Sequence, residues 1–488
     1  MTRFASTRLW FVSPWKWAAM AGTVVAAIAS GSAAALPAPA FAMLMAAGLG
    51  AVLALAHPRL ALMLFFAMFI MLTDSAGQGA VDFFAIADSD TITGLPSIGT
   101  TCFLGLFVMM VVRSALLRHD APAGSLGYLG VWLAVLILAL CVGLARGNDR
   151  EMLQTDFIAF LLPALCFYLC IQVIRTGEDV ERMLGALLVV AALKAIILSA
   201  YFVAGRGWPY EVAGEESYRV VTMDSADLLV FITLLMVIIA TGGHAFTRRI
   251  PPWFAWCAAV PMIFAVVFAY RRAQWGGLLF SCGMLVFLAS RAGKRRIRVT
   301  MTVLALTGAA AVLVAAFTGS RLAGGISDRF VSSFDPAQDS NVYHALESRQ
   351  VLRDLMTAPL AGLGLGARHT PLGLYKNDGV PTNIVHNTFL YVWMKTGVAG
   401  LLCVLWSAGL LARCLRGFRR RAARTHAWDL GAGLAATTGL WAAMFLTGPV
   451  PWYAHQTLLI ALFAAMMTVL ARSAAVPAHA LAGRRSAP

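Results

Sequence analysis

The chain has 488 residues, of which 60% are hydrophobic and 12% charged, and it carries a formal charge of +15. Soluble globular proteins hold about 25% charged residues, and this much apolar sequence would leave large exposed patches in water. A single aqueous domain is therefore excluded. Lipid must be the solvent, and backbone in lipid closes its own hydrogen bonds as helix.

The apolar runs are helix-length, not the short alternating segments of a membrane barrel. Length and hydropathy predict about fourteen spans. They lie near 17–35, 38–56, 58–73, 98–117, 126–145, 154–174, 183–204, 225–242, 252–270, 273–290, 299–318, 386–412, 429–447 and 453–471. The first follows Arg3, Arg8 and Lys16 in the manner of a signal peptide, but it is long enough to span and is read as a retained helix. The predicted architecture is all-α and polytopic. Eleven helices occupy 1–318, an ordered outer loop 319–385, three helices 386–471, and a disordered cytoplasmic tail 472–488.

Cytoplasmic loops collect Lys and Arg. With the N-terminus inside, the densest clusters all fall on the inner side. They include the run from Arg291 to Arg298 and the arginines from Arg413 to Arg424. The positive charge thus faces anionic lipid, and no nucleic-acid partner is expected. The eight cysteines lie in or beside apolar segments without metal-ligand spacing. No disulfide framework, metal or cofactor is expected, and Cys166 and Cys170, one turn apart, read as packing residues.

Three polar segments face outward. The first, 205–224, ends near Arg219, with Asp224 and Asp227 close by as ion-pair partners. The second is the turn Tyr270-Arg271-Arg272-Ala273-Gln274-Trp275. Charge at such a junction is costly unless paired or solvated. An arginine fork there suits a phosphate or carboxylate, and snorkelling to headgroups is the plainer alternative.

The third segment is the loop of roughly 65 residues before His386, long enough to require a functional or disordered reading. Within it, 340–357 has helical periodicity, and Ala345, Leu352 and Met356 share a face with Arg349. An arginine on that apolar face needs an anion or an acidic partner. Gly362, Gly364 and Gly366 allow close backbone approach or positive φ, but no Gly-Lys-Ser/Thr follows, so this is not a P-loop. His386 and Asn387 open the next span, where a neutral histidine can accept a proton; a structural role is the alternative.

Together these pieces resemble the O-antigen ligase and O-antigen polymerase family of bacterial envelope enzymes. The resemblance rests on Arg219, Arg272, Arg349, the stretch from Pro359 to Gly366, His386-Asn387-Thr388-Phe389-Leu390, and Gly397-Val398-Ala399-Gly400. The Arg271-Arg272-Ala273-Gln274 form departs from the family's Ser-Arg-Gly-Ala, so either arginine could take the role. The family's acidic residue before Gly397 is absent, with Lys395 nearby.

The resemblance implies a metal-independent inverting glycosyltransferase of the inner membrane, working at its periplasmic face. Its donor would be an oligosaccharide on undecaprenyl diphosphate, and its acceptor a growing glycan or the lipid A core. His386, Arg272 and Arg219 would be catalytic. Arg219, Arg272, Arg271 and Arg349 would hold the diphosphate, with Gly362, Gly364, Gly366 and Asn387 supporting the loop. Polymerisation of exopolysaccharide or O-antigen is the first reading and ligation to lipid A core the second. A flippase and a chain-length regulator are implied partners. A transporter is the alternative from another class, argued by Lys194 in mid-span and opposed by the lack of internal repeats.

Overall fold

The computed structural model describes residues 50, 53–72, 98–116, 125–204, 208–212, 215–220, 226–246, 250–290, 293–302, 339–370, 372, 383–423, 425–448, 450 and 454–474. The expected span 17–35 and most of 38–56 and 299–318 lie outside the described residues, as does the tail beyond 474. The chain divides into two compact units, 1–68 with 85–121, and 69–84 with 122–488.

Helix α1 runs Pro58–Leu72 and α2 runs Ile98–Leu116. In the first unit, Phe65 of α1 meets Phe103 of α2 with ring centroids 5.7 Å apart. Arg113 on α2 donates to the Leu55 carbonyl at 2.8 Å.

The second unit holds the remaining elements: α3 (Ser125–Ala145), α4 (Arg150–Val173), α5 (Gly177–Val203), a hairpin of β1 (Trp208–Val212) and β2 (Glu215–Arg219), α6 (Ala226–Thr241), α7 (Pro252–Val267) and α8 (Arg272–Leu288). Then come α9 (Asp339–Leu355), α10 (Thr388–Ala422), α11 (His426–Ala436), α12 (Thr438–Thr447) and α13 (Ala454–Ser473). Six helices among the described residues are long and apolar enough to cross a membrane, and α1, α2, α6 and α7 are shorter apolar helices. The helical membrane architecture stands; the count of fourteen spans is not reached by the described residues.

Side-chain exposure sorts these helices. Every residue of α6 is buried, so this mostly apolar helix is the centre of the unit, packed by α7 and α11. On α3, α5, α8 and α10, large apolar side chains such as Ile137, Ile196, Phe287 and Leu405 stay exposed. Apolar surface spread over several helices is what lipid covers.

Three local features were not legible beforehand. The segment at 208–219 is an antiparallel hairpin, with Trp208 opposite Arg219. Helix α10 continues about ten residues past the expected end at 412, because hydropathy stops at the first arginines while the helix carries them out of the apolar layer. It also kinks at Gly397, which has φ 67° and ψ −170°. Lys194, the one argument for transport, lies buried 3.7 Å from Asp227 and 3.2 Å from the Met71 carbonyl. A charge in that position is a structural pair, and Asp227 is placed with Lys194 in this pair.

Candidate functional site

The site is assembled by α9, the chain entering α10, and the turn before α8. Asn387 is the N-cap of α10, and its side chain accepts from Phe389 N at 3.0 Å and Leu390 N at 3.2 Å. Such a cap satisfies orphan amides of the first turn. It also fixes the preceding residue, His386, at the mouth of the helix. Thr388 ties the same turn to the end of α12 by donating to the Gly448 carbonyl at 2.6 Å.

Glu347 holds His386 from the other side. The His386 amide donates to Glu347 Oε2 at 2.8 Å, and His386 Nδ1 lies 3.1 Å from Oε1 and 3.2 Å from Oε2. An ionised carboxylate only accepts, so the network assigns the ring proton to Nδ1 and leaves Nε2 as the basic nitrogen. The Glu347 side chain is 1% exposed and that of His386 37%, so the carboxylate is held inside while the ring reaches the surface. His369 is buried behind them, with Nε2 3.9 Å from Glu347 Oε1 and Nδ1 3.0 Å from the Thr370 carbonyl.

His344 stands beside His386, ring centroids 4.5 Å apart. Burial holds His344 below the ordinary histidine range; the neighbouring charges of His386 and Arg272 add to this, and Glu347 opposes it. That Arg272 acts on His344 places its guanidinium in the same electrostatic neighbourhood as the histidines.

Arg272 is the first residue of α8, and Arg271 its N-cap. The turn before them is sharp: Tyr270 is buried with φ 51°, a left-handed conformation uncommon for a residue with a Cβ. The turn is tied to the hairpin, since Val220 N donates to the Phe268 carbonyl at 3.1 Å. The backbone just after Arg219 is thereby brought to the chain just before Arg271 and Arg272. His344, Glu347 and His386 are thus brought together by α9 and the start of α10, with Arg272 at the start of α8 acting electrostatically on His344, while the hairpin backbone is tied to the turn before α8.

Arg349 is placed differently. Helix α9 covers the expected helical stretch, but its buried face is Glu347, Val351 and Leu355. Ala345, Arg349, Leu352 and Met356 lie on the exposed face. The expected apolar face is therefore corrected. Counting apolar side chains misplaced it because the acid Glu347 is the inward residue, made tolerable there by its histidine partners.

The glycine segment packs backbone against backbone. Gly362, Gly364 and Gly366 all have positive φ. A Cβ on Gly362 would meet the Trp393 carbonyl at 2.7 Å, one on Gly364 would meet Gly143 Cα at 2.7 Å, and one on Gly366 would meet the Asp149 carbonyl at 2.8 Å. The amides of Gly362, Leu363, Leu365, Gly366 and Ala367 all donate within the protein, so they are not aimed at a phosphate. Asn148 caps the segment by donating to the Leu363 and Leu365 carbonyls at 3.0 and 2.8 Å. Gly364→Ala is expected to cost at least about 1–3 kcal/mol from its φ alone, before the clash with α3. A lowered melting temperature in detergent, or poor membrane yield, would register it; unchanged stability would contradict this packing.

Beneath the glycines lies a buried ionic cluster that sequence reading missed. Asp156 of α4 accepts from Lys395 Nζ at 2.7 Å, Tyr391 Oη at 2.8 Å and Gly366 N at 2.7 Å. Lys395 also donates to the Ala367 carbonyl at 2.6 Å. Both charged side chains are fully buried. Around them Phe160 stacks on Tyr391, and Val351 and Leu355 of α9 join the same core as Leu363 and Leu365. The cluster thus anchors the floor on which α9, and with it Glu347, is seated. In the sequence Lys395 stands out only as a departure from a motif. The spacing of His344 and Glu347, three apart on one helix, was the available signal for the histidine pair. Folding also brings His344, Glu347 and His386 together with donor atoms within 4.8 Å of one another, a grouping that sequence spacing does not reveal.

The fold and this cluster define a polytopic helical membrane protein with an Arg–His–Glu site at helix ends. Residues 257–405 match the family model described as O-antigen ligase. The matched segment is under a third of the chain, and it contains every site residue predicted from the sequence except Arg219. No curated protein matches the chain.

Proposed function

We propose that the protein is an inverting membrane glycosyltransferase that takes a glycan from undecaprenyl diphosphate at the periplasmic face of the inner membrane. The observation that carries this is the locked His386, with Nδ1 on buried Glu347 and Nε2 left as the acceptor nitrogen, next to His344, on which Arg272 acts. The family match supports membrane glycosyl transfer in general.

In this reading the acceptor hydroxyl attacks the anomeric carbon. His386 Nε2 takes the hydroxyl proton as the new C–O bond forms. The bond from the sugar to the diphosphate breaks, and its electron pair leaves with the phosphate oxygen. Arg272 and Arg219 offset that charge, as preorganised cations do in a site with little water, with Arg271 beside them. Arg349, on the exposed side of α9, would act at the mouth of the site. Gly362, Gly364, Gly366 and Asn387 support the loop and need not touch substrate.

Helix direction favours an outward site. His386 stands at one end of α10, and Arg413 lies 26 helical residues beyond Asn387, about 39 Å along an α-helix. Arg272 begins α8, and the basic run 291–298 follows its other end. Basic clusters mark the cytoplasmic ends, so the site belongs at the opposite face.

Polymerisation of exopolysaccharide or O-antigen units is the first assignment. Ligation to the lipid A core is the second, favoured by the description of the matching family. A deletion strain complemented with wild type or His386→Ala separates them. Single repeat units accumulating with His386→Ala mark a polymerase, and long carrier-bound glycan over a bare core marks a ligase. Identical profiles for wild type and His386→Ala, at equal protein level, would remove the glycosyl-transfer reading.

A further inference from the structure

We propose that His344, Glu347 and His386 form a binding site for a divalent transition cation of the Zn²⁺ class, and that its occupancy switches the site off. His344 and Glu347 stand three apart on α9, a spacing that puts two side chains on one helix face. His386 meets them from the start of α10. One donor atom from each lies within 4.8 Å of the others.

Two imidazoles and one carboxylate are a mixed nitrogen and oxygen set. Zn²⁺ takes such sets, whereas Mg²⁺ and Ca²⁺ take oxygen ligands. Three protein ligands leave a fourth position for water. The carboxylate is oriented by a bond that a cation need not displace, the 2.8 Å contact from the His386 amide to Oε2. His369, 3.9 Å from Oε1, backs the same carboxylate, the kind of outer contact that orients metal ligands.

The inhibitory half rests on the proposed role of His386 as the proton acceptor; the binding half does not. The nitrogen facing Glu347 is Nδ1, so a cation entering between the two binds Nδ1. The neutral ring then carries its one proton on Nε2. No proton leaves the ring, but the nitrogen assigned to the acceptor hydroxyl becomes a donor and cannot accept.

The test uses the full-length protein in detergent, without a polyhistidine tag. Co²⁺ is titrated and followed by its visible absorption, and Zn²⁺ is then added in competition. One equivalent is expected to bind, with X-ray absorption showing two imidazoles and a carboxylate. His344→Ala, and the length-preserving His344→Gln, are each expected to weaken Zn²⁺ binding by about 100-fold. Binding unchanged in both variants, or no binding at micromolar Zn²⁺, would overturn the site. Added Zn²⁺ is also expected to stop glycosyl transfer by the wild type, with chelator restoring it. Full transfer by protein shown to be Zn²⁺-loaded would overturn the inhibition. Neither failure touches the glycosyl-transfer reading, which stands or falls on the His386→Ala glycan profile.

Discussion

Glu347→Gln is expected to reduce turnover by about 10²–10⁴-fold, the range lost when a positioned base is removed or held in the wrong tautomer. The amide is nearly isosteric, so α9 and the core beneath it should survive. What changes is the proton on His386. A carboxylate accepts from Nδ1 and leaves Nε2 basic, whereas a carboxamide can present its NH₂ to Nδ1 and shift the ring proton to Nε2. Donor binding depends on the arginines and should change little, so the loss should fall on kcat and not on KM. Steady-state transfer from a lipid-linked oligosaccharide by the purified variant measures both. A variant with normal kcat would show that the 3.1 Å contact between His386 Nδ1 and Glu347 Oε1 is structural only.

Asp156→Ala should be among the most destabilising single changes in the second unit. Asp156 is the shared acceptor for Lys395, Tyr391 and Gly366, and both it and Lys395 are fully buried. Removing one partner of a buried ion pair costs about 3–5 kcal/mol, because the remaining charge is left uncompensated. Replacing both partners by apolar groups is far milder. Asp156→Ala combined with Lys395→Met should therefore recover much of the melting temperature lost by Asp156→Ala alone. The cycle isolates the pair term. If the double variant were no more stable than the single one, the pair would not be what holds the loop. Transfer activity should follow stability only in part, since the glycine segment would still lack its Gly366 anchor.

Much of the architecture was legible in the sequence because burial in lipid acts locally. A residue facing hydrocarbon is selected one helix at a time, so apolar runs mark α3 to α8 and α11 to α13 to within about six residues, and the start of α10 though not its charged end. The helix over 340–357 is also legible, since its periodicity is local. Its inward face is not, because Glu347 is inward only through histidines elsewhere in the chain. His386, Asn387 and the glycines could be picked out as a motif. Their spacing does not say that Asn387 is a helix cap, or that the Gly362 and Gly366 amides are spent on protein acceptors.

Composition alone determined that the chain is a helical membrane protein, and motif picked out an Arg–His set resembling that of the O-antigen ligase family. Only tertiary structure decided how that set is held. The carboxylate that orients His386 comes from 39 residues away, and the one that anchors Gly366 from 210 away. Hydropathy scores such acids as penalties wherever they occur. Whether a buried charge is an error or a fixture depends on the partner that folding brings to it.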